Sequence, residues 1–297
     1  MSSEGEASPV RHVSDTASWV AIYRAMESER RDAIFRDPYA RRLGGERGEA
    51  IVRSMPGGEH SAWPMIVRTA VMDEIVMRCV RAGARTVLNL AAGLDARAFR
   101  LDLPPTLRWI HADLPPMVEY FRESMQAETP RCQLEYAAVD LREEAPRREL
   151  FARVAGLGPT LVITEGLLLY LPEPAVAGLA RELHDSAQPR WWLTDLASPR
   201  LLKMLEKRWS PTLQAGNAPF VFGPAEGSAW FAPFGWRELE WRSTFGESLR
   251  INRTMRGGAL FWRVMDRLQP RAQRESGHRM SGILLLGNND DPEARAP

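Results

Sequence analysis

The chain has 297 residues, 44% hydrophobic and 26% charged, with a net charge of +1. That is enough for one large core or two small ones, and the balance gives no support to a nucleic-acid or membrane-surface partner. Its two cysteines, Cys79 and Cys132, lie in unrelated segments and its five histidines are scattered, which argues against a disulfide framework and a metal site and makes a reducing cytoplasm the expected compartment. The longest apolar run, residues 161–171, contains Glu165 and is too short to span a bilayer, and the N-terminus lacks the regions of a signal peptide.

Residues 1–13 are polar and expected to be a flexible tail. A helix is predicted over 15–31, where Trp19, Ile22, Tyr23 and Met26 recur at helical spacing with Ser14 or Asp15 as N-cap. Arg24 sits beside that stripe, a place where arginine is ordinarily solvated. Residues 31–45 read as a turn at Asp37-Pro38 and a short helix closed by Gly44-Gly45, and residues 46–61 as a loop. A second helix, 65–82, stops at Gly83 and aligns Arg68, Met72, Ile75, Val76 and Cys79 on one stripe. An arginine on such a stripe either snorkels to water or faces a ligand.

Residues 86–113, TVLNLAAGLDARAFRLDLPPTLRWIHAD, carry the most informative pattern. A short apolar run (Val87 to Leu90) leads into a small-residue turn, Ala91-Ala92-Gly93, and a second run ends in Asp113, 20 positions after Gly93. This is the outline of a nucleotide-binding β-turn-α-β unit, in which the turn admits a ligand to the backbone and the acid accepts from ribose hydroxyls. The turn has one glycine rather than three, and α/β domains without a nucleotide also use small turns, so both readings stand at this point. A helix over 117–126, a strand over 133–139 closed by Asp140-Leu141, and a helix marked by Leu150, Phe151 and Val154 follow. Next come a strand over 160–164 running into Glu165-Gly166 and LLLYLP, an amphipathic helix (Val176, Leu179, Ala180, Leu183), and a strand over 191–195. Five alternations predict an α/β, doubly wound parallel sheet. Acids at three successive strand ends, Asp113, Asp140 and Glu165, favour a ligand crevice over helix caps.

Residues 198–231 break the alternation and read as a lid over the site or as a passive connection. A strand over 235–245, a helix over 259–268 and a last strand over 282–286 follow, and residues 288–297 are expected to be a flexible tail. Trp209 and Trp230, in the lid region, either stack on a flat substrate or belong to the core.

The chain resembles the leucine carboxyl methyltransferase-like proteins, including bacterial polyketide O-methyltransferases of the tetracenomycin type. The likeness spans residues 15–287 and rests on DAIFRDPYARRL, AAGLDARAFRL, Asp140-Leu141, EGLLLYLP and FAPFGW. It implies a Rossmann-like class I methyltransferase fold, a seven-stranded mostly parallel sheet with helices on both faces, an N-terminal helical cap (14–82) and a single domain over 14–287. It also implies S-adenosyl-L-methionine across the strand ends, with no metal. By motif position Arg68 would meet the cofactor carboxylate, with Arg24 as a further basic position. Ala91 and Gly93 would line the methionine part, Asp113 and Leu114 the ribose, Asp140 and Leu141 the adenine, and Glu165 and Gly166 the amino group. In carboxyl-methylating relatives an arginine and a tyrosine at the positions of Arg68 and Tyr170 orient the acceptor. The chain departs from the family at Ala91, where glycine is usual; alanine takes positive φ only at a cost, so cofactor binding asks for ordinary dihedrals there.

The expected function is O-methylation of a carboxylate or hydroxyl on a small molecule of polyketide type. The alternatives are a cofactor-binding scaffold without transfer, or a nicotinamide-dependent oxidoreductase, against which the missing glycine triad counts. No residue is assigned as general base, His111 being read as structural. The oligomeric state is left open.

Overall fold

Each apolar run of the first two thirds becomes a strand because its alternate residues serve two different cores. The computed structural model describes residues 14–55, 57–215 and 220–297; the expected tail at 1–13 lies outside them. Its strands are β1 (Thr86–Leu90), β2 (Arg108–Asp113), β3 (Gln133–Ala138), β4 (Thr160–Thr164), β5 (Trp191–Ala197), β6 (Trp236–Ser243) and β7 (Ser281–Asn288). They form one sheet in the order β3-β2-β1-β4-β5-β7-β6, with β7 antiparallel to both neighbours. Every residue of β1 and β4 is buried, as central strands covered on both faces require.

The helices are α1 (Ser14–Ser28), α2 (Ala40–Ser54), α3 (Trp63–Arg81), α4 (Arg97–Arg100), α5 (Pro115–Ser124), α6 (Glu144–Val154), α7 (Glu173–Glu182), α8 (Pro199–Ala215), α9 (Thr244–Arg250), α10 (Gly258–Leu268) and α11 (Arg271–His278). On one face Val87, Trp109, Leu161, Trp191 and Leu193 pack with the α3 stripe of Met72, Ile75, Val76 and Cys79. On the other Leu88, Ile110, Val162 and Trp192 pack with Phe151, Val176 and Leu179 of α6 and α7. The period-two exchange between these clusters is the strand repeat itself.

Two expectations are corrected. The glycines at 44–45 do not close the helix: α2 runs on to Ser54, kinked at Gly45 (φ 57°), through residues read as loop. The reason is tertiary. A Cβ on Gly44 would lie 2.7 Å from the Ile22 side chain, and one on Gly48 2.6 Å from the Ser18 carbonyl. The glycines thus let α2 pack directly on the backbone of α1. Nor is 288–297 a loose tail. Trp191 Nε1 donates to the Arg295 carbonyl (2.9 Å), Arg237 Nη2 donates to that of Ala294 (2.6 Å), and Arg190 pairs with Asp291 (2.8 Å). These donors lie over fifty positions away in sequence and fix the segment against the β5, β7 and β6 side of the sheet.

In the region read as a lid, α8 fills residues 199–215, residues 216–219 are outside those described, and the chain returns with Val221 and Phe222 donating their N–H groups to the Leu169 carbonyl (2.7 and 3.2 Å). The Trp209 side chain also lies outside the description. Trp230 joins Phe222, Phe231 and Phe234 in an aromatic cluster, its Nε1 donating to Glu173 (3.0 Å), so it serves packing rather than a site.

Candidate active site

From β1 the chain runs outward through β2 to β3 on one side and then crosses back to β4 on the other, so the crevice at the carboxyl ends of β1, β2 and β4 is the topological switch point of the sheet. Two glycines at positive φ shape it, Gly93 (53°) after β1 and Gly166 (65°) after β4. Asp113, ending β2, accepts from the Gly93 N–H at one oxygen (2.6 Å) and from the Leu114 N–H at the other (2.7 Å). Burial raises its carboxyl above the ordinary range despite those two donors.

Ala91 itself stands at φ 49°, in the left-handed region and not at the ordinary dihedrals expected, so the turn keeps a backbone conformation suited to glycine and the alanine bears the cost as strain in the fold. A Cβ there costs about 1–2 kcal/mol, partly offset in glycine by the entropy it loses on folding. Ala91→Gly is therefore expected to stabilise the fold by about 1 kcal/mol in urea denaturation; an unchanged or lower midpoint contradicts the strain.

Arg68 leaves the apolar stripe of α3 to lie between two acids. Its Nε donates to Glu165 (2.9 Å) and its Nη1 to Asp195 (3.2 Å), and the other Asp195 oxygen accepts from the Gly166 N–H (2.6 Å). Behind them Arg97, 2% exposed, spans three carboxylates: Asp73 (2.6 Å), Asp95 (2.7 Å) and Glu165 (2.7 Å). Asn89 Nδ2 donates to Asp95 (2.8 Å), and Arg100 grips Asp73 with both terminal nitrogens (2.6 and 2.7 Å). Buried charges persist only when partnered this way. Arg24 is not solvated: it donates to Asp37 (2.9 Å) and to the Leu94 carbonyl (2.6 Å) beneath the turn.

Burial would lift the Glu165 carboxyl, but Arg97 and Arg68 outweigh it and draw it down to about 2. The folded state thus releases this proton more readily than the unfolded chain, whose carboxyl titrates near 4.5. The resulting stabilisation is present above pH 4.5 and is lost as pH falls through about 2. Denaturation of Glu165→Gln followed from pH 6 to pH 2 is expected to lose that part of the wild-type slope; an identical slope contradicts the assignment.

Helix α1 covers this crevice. A Cβ on Gly93 would lie 3.2 Å from that of Ala17. Thr16 hydrogen-bonds the Tyr170 phenol, which burial pushes up to about 12, with Arg68 as the cation acting on it. Phe220, from the returning segment, stacks obliquely on Tyr170 (5.4 Å). The structure thus places Arg68, Glu165, Gly166 and Tyr170 together after β4, and Gly93, Asp113 and Leu114 together at the ends of β1 and β2. Asp140 and Leu141 stand apart at the end of edge strand β3, where Asp140 engages Arg142 (2.6 Å) and the Leu141 carbonyl accepts from Arg147 (2.5 Å). Sequence reasoning missed Asp195, Asp95 and Arg97. In the sequence Asp195 follows the apolar run 191–194 as the three assigned acids follow theirs, and that signal sufficed to find it, although β5 itself runs on to Ala197. His111 lies within the core, stacked on Phe121 (4.3 Å), with burial holding it down to about 4, so it offers no base to the crevice.

The profile described as leucine carboxyl methyltransferase matches residues 17–184, a stretch that includes every residue of this cluster but Thr16, Asp195 and Phe220. The chain belongs to the leucine carboxyl methyltransferase family. A relative from Streptomyces avermitilis, named as a candidate S-adenosyl-L-methionine-dependent methyltransferase, is 32% identical over 74% of this chain and 82% of its own length. One from Streptomyces coelicolor, similarly named, is 36% identical over 58% of this chain, a match spanning 64% of that relative's length. Solved structures of a methyltransferase candidate from Thermobifida fusca (TM-score 0.55, 16% identity, covering 94% of this chain and 96% of that one) and of a DUF574-family protein from Streptomyces avermitilis (0.54, 14%, 91% and 96%) share the fold. Membership in this family counts against the nicotinamide reading. No helix among the described residues is long and apolar enough to cross a membrane.

Proposed function

We propose that the protein is an S-adenosyl-L-methionine-dependent O-methyltransferase whose acceptor is a carboxylate or hydroxyl of a small molecule, with polyketide-type metabolites as the working class and the cytoplasm as its compartment. The observation that carries this is the pairing of two unlike features at one switch point. Asp113, tied to the turn glycine, offers a carboxylate suited to a ribose diol; Arg68 between Glu165 and Asp195 offers both charges that an amino-acid zwitterion needs. These residues fit the cofactor's nucleoside and methionine ends.

Arg68 would hold the cofactor carboxylate, and Glu165 the ammonium. The positive-φ turns at Gly93 and Gly166 bring backbone close on either side. Arg24 acts from behind, its charge helping to keep Glu165 ionised. Leu114 lies beside Asp113 at the ribose, Asp140 and Leu141 bound the adenine side, and Ala91 the turn. When bound, the sulfonium supplies an already activated methyl, so the chain's own task is in-line positioning and exclusion of water. Tyr170 and Arg68 orient the acceptor oxygen, with the 14–82 cap and the 198–231 lid closing over it. A carboxylate acceptor needs no general base.

The test is transfer of labelled methyl from S-adenosylmethionine to a panel of aromatic acids and phenols. Label released as methanol by base identifies an ester, and base-stable label an ether. Cofactor binding without label in any acceptor speaks instead for the scaffold.

A further inference from the structure

Helix α10 is built the wrong way round for a globular protein. Leu260, Val264, Leu268, Phe261 and Met265 recur at intervals of one, three and four, a single continuous stripe on the helix surface. That stripe faces water: Leu260 is 75%, Leu268 74%, Phe261 50%, Val264 49% and Met265 40% exposed. The side turned to the protein carries Ala259, which is buried, Trp262, whose Nε1 donates to the Arg256 carbonyl (2.9 Å), and Asp266, paired with His278 (3.1 Å). A solvent-facing ridge of five large apolar side chains marks an interaction surface rather than scattered exposure.

Charge identifies the partner. Residues 256–279 hold six arginines against Asp266 and Glu275, and Glu238 of β6 pairs with Arg279 (2.9 Å), which leaves an excess of three in a chain whose net charge is +1. Arg263, whose Nη2 donates to the Leu249 carbonyl (2.5 Å), and Arg267 flank the stripe along one edge, and Arg271, paired with Glu275 (2.6 Å), and Arg274 follow on α11, which buries no residue. Ser198 donates its N–H to the Met280 carbonyl (2.8 Å), so α8, which brings an exposed Met204 and Arg200, Lys203 and Lys207 against Glu206, starts where α11 ends. The whole-chain balance that argued against a membrane-surface partner thus conceals a segregated basic edge.

We propose that α10 and its arginines form a docking surface for an anionic lipid bilayer, the helix lying in the interface with its stripe among the acyl chains. Arginines at the margin of an apolar stripe can extend to headgroup phosphates while their stems stay in the apolar layer. A second copy of this chain is disfavoured as the occupant of an antiparallel two-fold contact through α10, which would set one arginine-rich edge against the other.

The test is co-sedimentation of the full chain with vesicles of phosphatidylcholine alone and of phosphatidylcholine with phosphatidylglycerol. Binding is expected only to the anionic vesicles, and to weaken as salt rises. Arg267→Gln with Arg271→Gln, both exposed, is expected to lower the partition coefficient by about 30-fold, and Leu260→Ser with Phe261→Ser to abolish binding with the thermal unfolding midpoint unchanged. Equal binding to both vesicle types, or none, overturns the proposal. So does concentration-dependent self-association that the Leu260→Ser, Phe261→Ser variant removes, since a second copy then covers the stripe.

Discussion

Replacing Arg97 with leucine is expected to destabilise the protein by about 3–5 kcal/mol, the usual consequence of stripping one partner from a buried charge cluster. Asp73 would keep Arg100 and Glu165 would keep Arg68, but Asp95 would retain only Asn89 and the Arg97 backbone N–H. Arg97→Lys should recover a minor part, because an ammonium cannot reach three carboxylates at once as the planar guanidinium does. The sign of the pH response distinguishes this from a packing defect. Without the cation the carboxylates bind protons more readily in the folded state, so the deficit of the leucine variant narrows as pH falls toward the ordinary carboxylate range. A loss below about 1 kcal/mol, or a deficit independent of pH, contradicts the reading of Arg97 as the electrostatic centre of the site.

Arg68→Ala is expected to act differently, weakening S-adenosylhomocysteine binding by about 30-fold or more while leaving the unliganded fold largely intact. Glu165 stays paired with Arg97, and Asp195 stays bonded to the Gly166 N–H, so neither acid is stranded. What is lost is the cation between them, the proposed partner of the cofactor carboxylate. Isothermal titration of the variant checks this, with its urea midpoint as the control for folding. Undiminished binding would place the methionine end of the ligand elsewhere.

The contrast between these two arginines shows what could be read in the sequence. Arg68 was visible because it interrupts a stripe of Met72, Ile75 and Cys79, and periodicity exposes an interruption. Arg97 interrupts nothing. It follows a turn, and its three acids come from α3, the turn itself and the end of β4, so only the fold unites them. Strand ends were legible for a similar reason: an apolar run that stops at an acid, as at Asp113 and Glu165, marks both the strand and the side on which ligands bind.

Glycine misled at Gly44-Gly45, since a local rule for helix ends cannot foresee that α1 passes close enough to require Gly44 and Gly48 to lack side chains. The last ten residues misled through composition. Polar sequence suggested disorder, whereas backbone carbonyls at Ala294 and Arg295 are taken by donors from β6 and β5. The basic edge at α10 was hidden in the same way, by averaging charge over a chain that segregates it.

The central claim is that the ends of β1, β2 and β4 form a nucleoside site organised by Asp113. Calorimetric titration of S-adenosylhomocysteine into the wild type and into Asp113→Ala tests it most directly, since the substitution removes the carboxylate while leaving the sheet around it. Saturable binding by the wild type, lost or weakened at least tenfold in the variant, is the expected result. Equal affinity in the two proteins, or no binding to the wild type, would contradict the assignment of this crevice.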